Sequence, residues 1–207
     1  MSKVSLKSIF LTFLGILYMA LGILSYRGAI GRNHLDGLFW FSYAALFIIG
    51  LGMVLKKSDL IASQFSIILV PYIFWDTDFF YILLTGNSLW GITDYFFTAE
   101  TLLIKVLILQ HILAIPAALL GIYLIKLKNT NFWKFSAVQV LVFFVIVRLF
   151  TIPENNINCA FTNCLPFYIS PVIYPFFWFL SYFIMIGIAT FILYKVKVFW
   201  NKSPKTL

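Results

Sequence analysis

Long apolar stretches alternate with short polar ones along this chain, and within each stretch the apolar character is continuous rather than alternating residue by residue. Six runs approach the ~20 residues that a membrane-crossing helix needs: 9–26, 38–55, 60–84, 102–125, 132–152 and 171–194. A lipid-facing strand alternates apolar and polar positions, so continuous runs predict helices. The third run is the least regular. Its apolar part ends at Trp75, Asp76 and Asp78 interrupt it, and FFYILLTGN then either continues the helix or lies in the interface. The expected fold is all-α: a polytopic integral membrane protein with six transmembrane helices, forming one domain over residues 1–207.

Composition narrows the class. Of 207 residues 62% are apolar, 24 are Phe and only 11% are charged, whereas soluble domains carry about 25% charged residues. No room remains for a separate soluble module. Lys3 and Lys7 give the first run the basic start of a signal peptide. Its length, and an exit sequence LSYRGAIG that lacks a good A-x-A cleavage pattern, mark it instead as an anchor.

The net charge of +8 is an orientation signal. With the N-terminus inside and six spans, the inner side holds Lys3, Lys7, Lys56, Lys57, Lys126, Lys128, Lys134, Lys195, Lys197, Lys202 and Lys205, which is 11 of the 15 basic residues. The outer loops hold Arg27 and Arg32, and Lys105 and Arg148 lie within spans near their outer ends. Cytoplasmic loops are normally enriched in Lys and Arg, so both termini are expected in the cytoplasm, with the inner face drawn to anionic lipid heads. No basic, aromatic-interleaved motif for nucleic acid, no internal repeat and no low-complexity segment is present.

This topology gathers polar residues on the outer side. Ser42 falls about a turn from the outer end of the second span, Asp76 and Asp78 toward that of the third, and Glu100, Lys105, Gln110 and His111 in or before the outer half of the fourth. Arg148 follows on the fifth, then Glu154, Asn155, Asn156 and Asn158 in the outer loop. Ionisable groups at mid-span cost about 2.5–3.5 kcal/mol on insertion scales. Taken singly, Lys105, Asp78 and Arg148 have an ordinary reading as snorkelling side chains, and His111 as a bundle residue hydrogen-bonded across helices. Their convergence from four spans predicts a hydrated cavity open to the outer leaflet. Pro116 lacks an N–H, which leaves the Ile112 carbonyl unpaired and predicts a kink one turn below His111.

The chemistry is bounded by what is scarce. With only His34 and His111, a three-histidine zinc hydrolase is excluded, and no HExxH-like spacing joins a histidine to Asp76, Asp78 or Glu100. Bis-histidine haem would need His34, in a loop, to meet His111. No metal and no cofactor is called for. Cys159 and Cys164, in NINCAFTNC, lack the CxxC spacing of a redox motif. Their outer position favours a structural disulfide over free thiols, of modest stabilisation because the loop is short. What remains is one histidine activating a hydroxyl. Ser42, Tyr43, Thr98 and Thr101 are the hydroxyls near the right depth. Thr101 stands ten residues before His111 on the same helix, too far along the axis, whereas Ser42 comes from another helix at a similar level.

At these residues the chain resembles a known family. GLFWFSYAALFIIGL (37–51) is similar to the second span of the androgen-induced and androgen-dependent TFPI-regulating proteins, six-span membrane hydrolases of fatty-acid esters of hydroxy fatty acids. The resemblance places Ser42 where that family carries its nucleophilic threonine. QHILAIP (110–116) resembles the family's fourth span, where the catalytic histidine also stands five residues before a proline, which implies that role for His111. IFWDTDFFYI (73–82) loosely resembles the aromatic and acidic end of its third span. NINCAF followed by LPFYISPVIYPFFW resembles the bacterial YwaF-like membrane proteins, whose branch uses a cysteine nucleophile; no cysteine lies within a span here.

The expectation is an intramembrane hydrolase or acyltransferase acting on a lipid-like ester near the outer leaflet. Ser42 would attack and His111 act as base. Asp76 or Asp78 would orient the imidazole, and Gln110, Lys105 and Arg148 would orient or hold the substrate. The alternative is a small transporter or lipid-binding membrane protein whose polar cavity is a passage, and a third reading is a structural subunit of a larger complex.

Overall fold

The computed structural model describes residues 5–31, 35–99 and 101–201. Lys3, Arg32, His34, Glu100, Lys202 and Lys205 lie outside the described residues. The described chain is helical, in the order α1 (Leu6–Gly31), α2 (Phe41–Val54), α3 (Ser58–Thr85), α4 (Asp94–Phe97), α5 (Leu102–Ile108), α6 (Gln110–Ile125), α7 (Phe132–Phe150) and α8 (Tyr174–Lys195), with short 3₁₀ turns between. Its outward surface is apolar: Phe13, Leu84, Leu149 and Phe176 are among many large exposed hydrophobic side chains, as expected where the solvent is lipid.

Among the described residues four helices, α1, α3, α7 and α8, are long and apolar enough to cross a membrane, and α5 with α6 makes a fifth candidate bent by 41°. The remaining run departs from its expected form. A 3₁₀ turn over Leu35–Phe39 and a break at Trp40 leave α2 only 14 residues, roughly 21 Å at ~1.5 Å per residue.

The passes run alternately between two ends. At one end Ser58 Oγ donates to the Lys126 carbonyl (2.8 Å), Asn129 Nδ2 donates to Asp59 (3.3 Å), and Leu127 pairs with the 199–201 segment. At the other, Asp36 accepts from the Ile152 N–H and the Asn155 amide (3.0 and 2.8 Å).

The core is centred on α3, whose stretch from Ile61 to Leu69 is buried all round and packs against α2, α6, α7 and α8. A buried polar pair crosses it: Gln64 and Gln139 exchange amide hydrogen bonds of 2.7 and 3.1 Å between α3 and α7. Glycines bring α1 against α2. A Cβ on Gly50 would sit 2.5 Å from the Gly15 carbonyl oxygen, and one on Gly15 would sit 2.6 Å from that of Gly50. Such close backbone approach is how helices associate without a hydrophobic driving force.

One open alternative is decided and one local expectation is corrected. α3 continues without a break through Trp75, Asp76 and Asp78 to Thr85 and stops at Gly86, whose φ of 74° ends the helix in the left-handed region. The fourth run is broken at Leu109, two residues before His111, and not at Pro116, which stands inside α6.

Candidate functional site

The break at Leu109 explains the setting of His111. At the break Ile112 N–H bonds to the Leu109 carbonyl (3.2 Å) instead of reaching back four residues to Ile108. The Ile108 carbonyl is thereby released, and His111 Nδ1 takes it at 2.7 Å. A carbonyl oxygen only accepts, so Nδ1 carries the proton and Nε2 of the neutral ring keeps its lone pair. The position expected for an orienting carboxylate is filled by the main chain.

Aromatic walls hold the ring. Trp75 stacks on it (centroids 4.7 Å apart, 15° between planes) and Tyr72 tilts against it at 4.6 Å. Both come from α3, one and a half turns from Pro71 or less. Gln110, itself buried, accepts from the Tyr72 hydroxyl (3.3 Å), and its amide nitrogen lies 3.1 Å from His111 Nδ1 and 3.4 Å from Nε2. Trp75 Nε1 donates to the Tyr95 hydroxyl of α4 at 2.8 Å. Burial pushes the Tyr95 phenol up to about 12, so it stays protonated under any physiological condition. Two residues further along α6, the Leu113 carbonyl accepts from the Tyr18 hydroxyl of α1 (2.8 Å).

The two aspartates part company. Asp78 is fully buried and serves the following loop: Oδ1 accepts from the Leu89 and Trp90 N–H groups (3.0 and 2.7 Å), Oδ2 from the N–H and hydroxyl of Thr93 (2.9 and 2.8 Å). It is a loop clamp and not a partner of the imidazole. Asp76 is half-buried, with a sequestered Oδ1 that has no hydrogen-bond partner among the described residues. Lys105 lies over the Phe96 ring at 5.8 Å.

No family model, curated protein or solved structure matches the chain.

Ser42 and Arg148 are not among the groups that hydrogen-bond to or stack on His111. Ser42 is 8% exposed in the first turn of α2, and among the described residues its hydroxyl makes no hydrogen bond with His111. The preceding Phe41 stacks on Phe143 of α7 at 5.0 Å and on Trp178 of α8 at 6.5 Å. Arg148 donates to the Ala160 carbonyl (3.3 Å) and lies over the rings of Phe161 and Phe144 (4.9 and 5.7 Å). Cys159 and Cys164 form a disulfide, Cα to Cα 5.7 Å. No group of metal-binding side chains occurs among the described residues.

Sequence reasoning missed Tyr72, Trp75 and the Ile108 carbonyl. The Tyr72 to Trp75 spacing places both rings on one face of α3, a signal that any buried aromatic pair gives. A released backbone carbonyl leaves no mark in the sequence. Asn158 was legible only as one more polar loop residue.

Proposed function

We propose that the chain is a six-pass membrane protein with both termini in the cytoplasm, and that it hydrolyses or transfers the acyl group of a lipid-like ester near the outer leaflet. The observation that carries the chemistry is the His111 Nδ1 contact to the Ile108 carbonyl. It fixes the tautomer that a general base requires. For the topology, α2 with its preceding 3₁₀ turn is the sixth crossing, and Lys56, Lys57, Lys126, Lys128, Lys195 and Lys197 all fall at one end, as the cytoplasmic enrichment of basic residues requires.

In this reading the ester carbonyl enters between α2 and α6. Ser42 Oγ attacks the carbonyl carbon, and its proton passes to His111 Nε2. The tetrahedral intermediate collapses with cleavage of the ester C–O bond, and the imidazolium returns the proton to the departing alkoxide. Water then releases the acyl group from Ser42, or an acceptor alcohol takes it, by the same relay in reverse. No hydrogen bond joins Ser42 and His111 among the described residues, so the relay requires the bound ester to draw the two side chains together.

Labelling tests this directly. A fluorophosphonate forms a P–O bond to an activated serine and expels fluoride, while the base takes the hydroxyl proton. Labelling of the purified protein that disappears in Ser42→Ala and in His111→Ala supports the assignment. Labelling or ester hydrolysis that survives both substitutions ends it.

Asp76 favours a second reading. A carboxylate inside a span, with one oxygen sequestered and unbonded, is the kind of group that lines an ion or substrate passage. Uptake into proteoliposomes that depends on Asp76, with no fluorophosphonate labelling, would select it.

A further inference from the structure

Asn158, in the loop between α7 and α8, is a buried polar side chain whose amide is engaged at both its oxygen and its nitrogen. It is 6% exposed. Its Oδ1 accepts from the Phe41 N–H at 2.9 Å, its Nδ2 donates to the Phe39 carbonyl at 2.7 Å, and its own carbonyl accepts from Trp178 Nε1 at 3.0 Å. The first contact is the informative one. The opening N–H groups of a helix have no partner within it, and Trp40, at the N-cap position of α2, supplies no side-chain bond. Asn158, from the loop between α7 and α8, does what an Asn at the N-cap does. The next residue along α2 after the capped one is Ser42.

The loop is built to hold this side chain still. Asn156, Asn158 and Cys159 have φ of 39°, 54° and 55°, a left-handed conformation that Asn tolerates and Cys does not favour. It is maintained from both sides. The Cys159–Cys164 disulfide closes the loop, Asn156 Oδ1 accepts from the Phe161 and Thr162 N–H groups at 3.0 Å each, and the Tyr174 hydroxyl of α8 donates to the Cys159 carbonyl.

We infer that Asn158 is a positioning residue for Ser42: from a disulfide-closed loop it caps the first turn of α2 and so fixes the depth and direction of the hydroxyl. This rests on the reading of Ser42 as nucleophile. The bridge acts through Asn158 and touches neither Ser42 nor substrate.

The test uses the full chain in lipid nanodiscs with two independent readouts. Hydrogen exchange over 39–46 reports the first turn of α2 whether or not the protein is an enzyme. Fluorophosphonate labelling of Ser42, resolved into probe binding and inactivation rate, reports the nucleophile. Asn158→Ala should speed exchange over 39–46 by about fivefold to tenfold, the equilibrium change that loss of an N-cap brings. It should slow inactivation by a similar factor with probe binding unchanged. Asn158→Asp keeps an oxygen for the Phe41 N–H and should recover most of the rate. The pair Cys159→Ala, Cys164→Ala should fall between. Unchanged exchange in Asn158→Ala, or a slowed rate that Asn158→Asp does not recover, overturns the proposal. If Asn158→Ala does not fold, Asn158→Asp and the cysteine pair decide it on the same criteria. Absence of labelling in the wild type refutes the hydrolase reading alone; exchange then decides whether Asn158 holds the turn.

Discussion

His111 Nδ1 and the Ile108 carbonyl oxygen are 2.7 Å apart across the break between α5 and α6. The relationship is reciprocal. The break frees a carbonyl that would be costly to leave unbonded, and the imidazole that satisfies it is locked in one tautomer. The bend of α5 against α6 and the readiness of Nε2 are therefore one structural fact, and substitutions at His111 should be felt in both.

For catalysis, His111→Ala should lower ester turnover by about 10²–10⁴ fold, the usual worth of a general base. Ser42→Ala should do the same, and the double variant should be no worse than either alone, because the two act as a unit. Steady-state hydrolysis of a short-chain fatty-acid ester by the purified variants checks this.

Asp78 makes a contrasting prediction. With four donors on one carboxylate, each hydrogen bond to a charged group being worth about 1.5–3 kcal/mol, Asp78→Ala should release the loop over 86–93. Chymotryptic cleavage after Leu89 or Trp90 in proteoliposomes should quicken by at least about tenfold. An Asp78→Ala protein that loses only turnover, with the loop as resistant as before, would return Asp78 to the role of imidazole partner.

The Gln64 and Gln139 pair should couple by about 0.6 kcal/mol and at most about 1.7 kcal/mol, the range measured for polar pairs between membrane helices. Gln64→Leu and Gln139→Leu should each destabilise more than the double substitution does, since a single change strands the other amide. A double-mutant cycle on unfolding in mixed micelles measures it.

Gly50 and Gly187 form an internal control. Gly50→Ala must push α1 from α2, since its Cβ would lie 2.5 Å from the Gly15 carbonyl and 2.7 Å from the Met19 nitrogen. Loss of the folded state by at least about 1–3 kcal/mol is expected, as for other overpacked sites. A Cβ on Gly187 meets nothing within 4 Å, so Gly187→Ala should leave the melting temperature unchanged.

Continuous apolar runs determined by themselves that the chain is helical, with several helices long and apolar enough to cross a membrane, because lipid would leave the backbone no partner but its own helix. Their spacing located α1, α3, α7 and α8 to within a few residues, and the pairing of Cys159 with Cys164 was readable from composition and side. The tertiary structure alone decided where helices break and which polar groups meet. Leu109 is an ordinary helix former, and nothing in LILQHIL marks it as the bend; Pro116, which does carry a local signal, sits inside α6. Asp76 and Asp78 look equivalent in WDTD, yet two residues along a helix turn by about 200°, so one meets a loop and the other is left without a donor. Asn158 meets Phe41 from 117 positions further along the chain, a distance over which sequence carries no geometry.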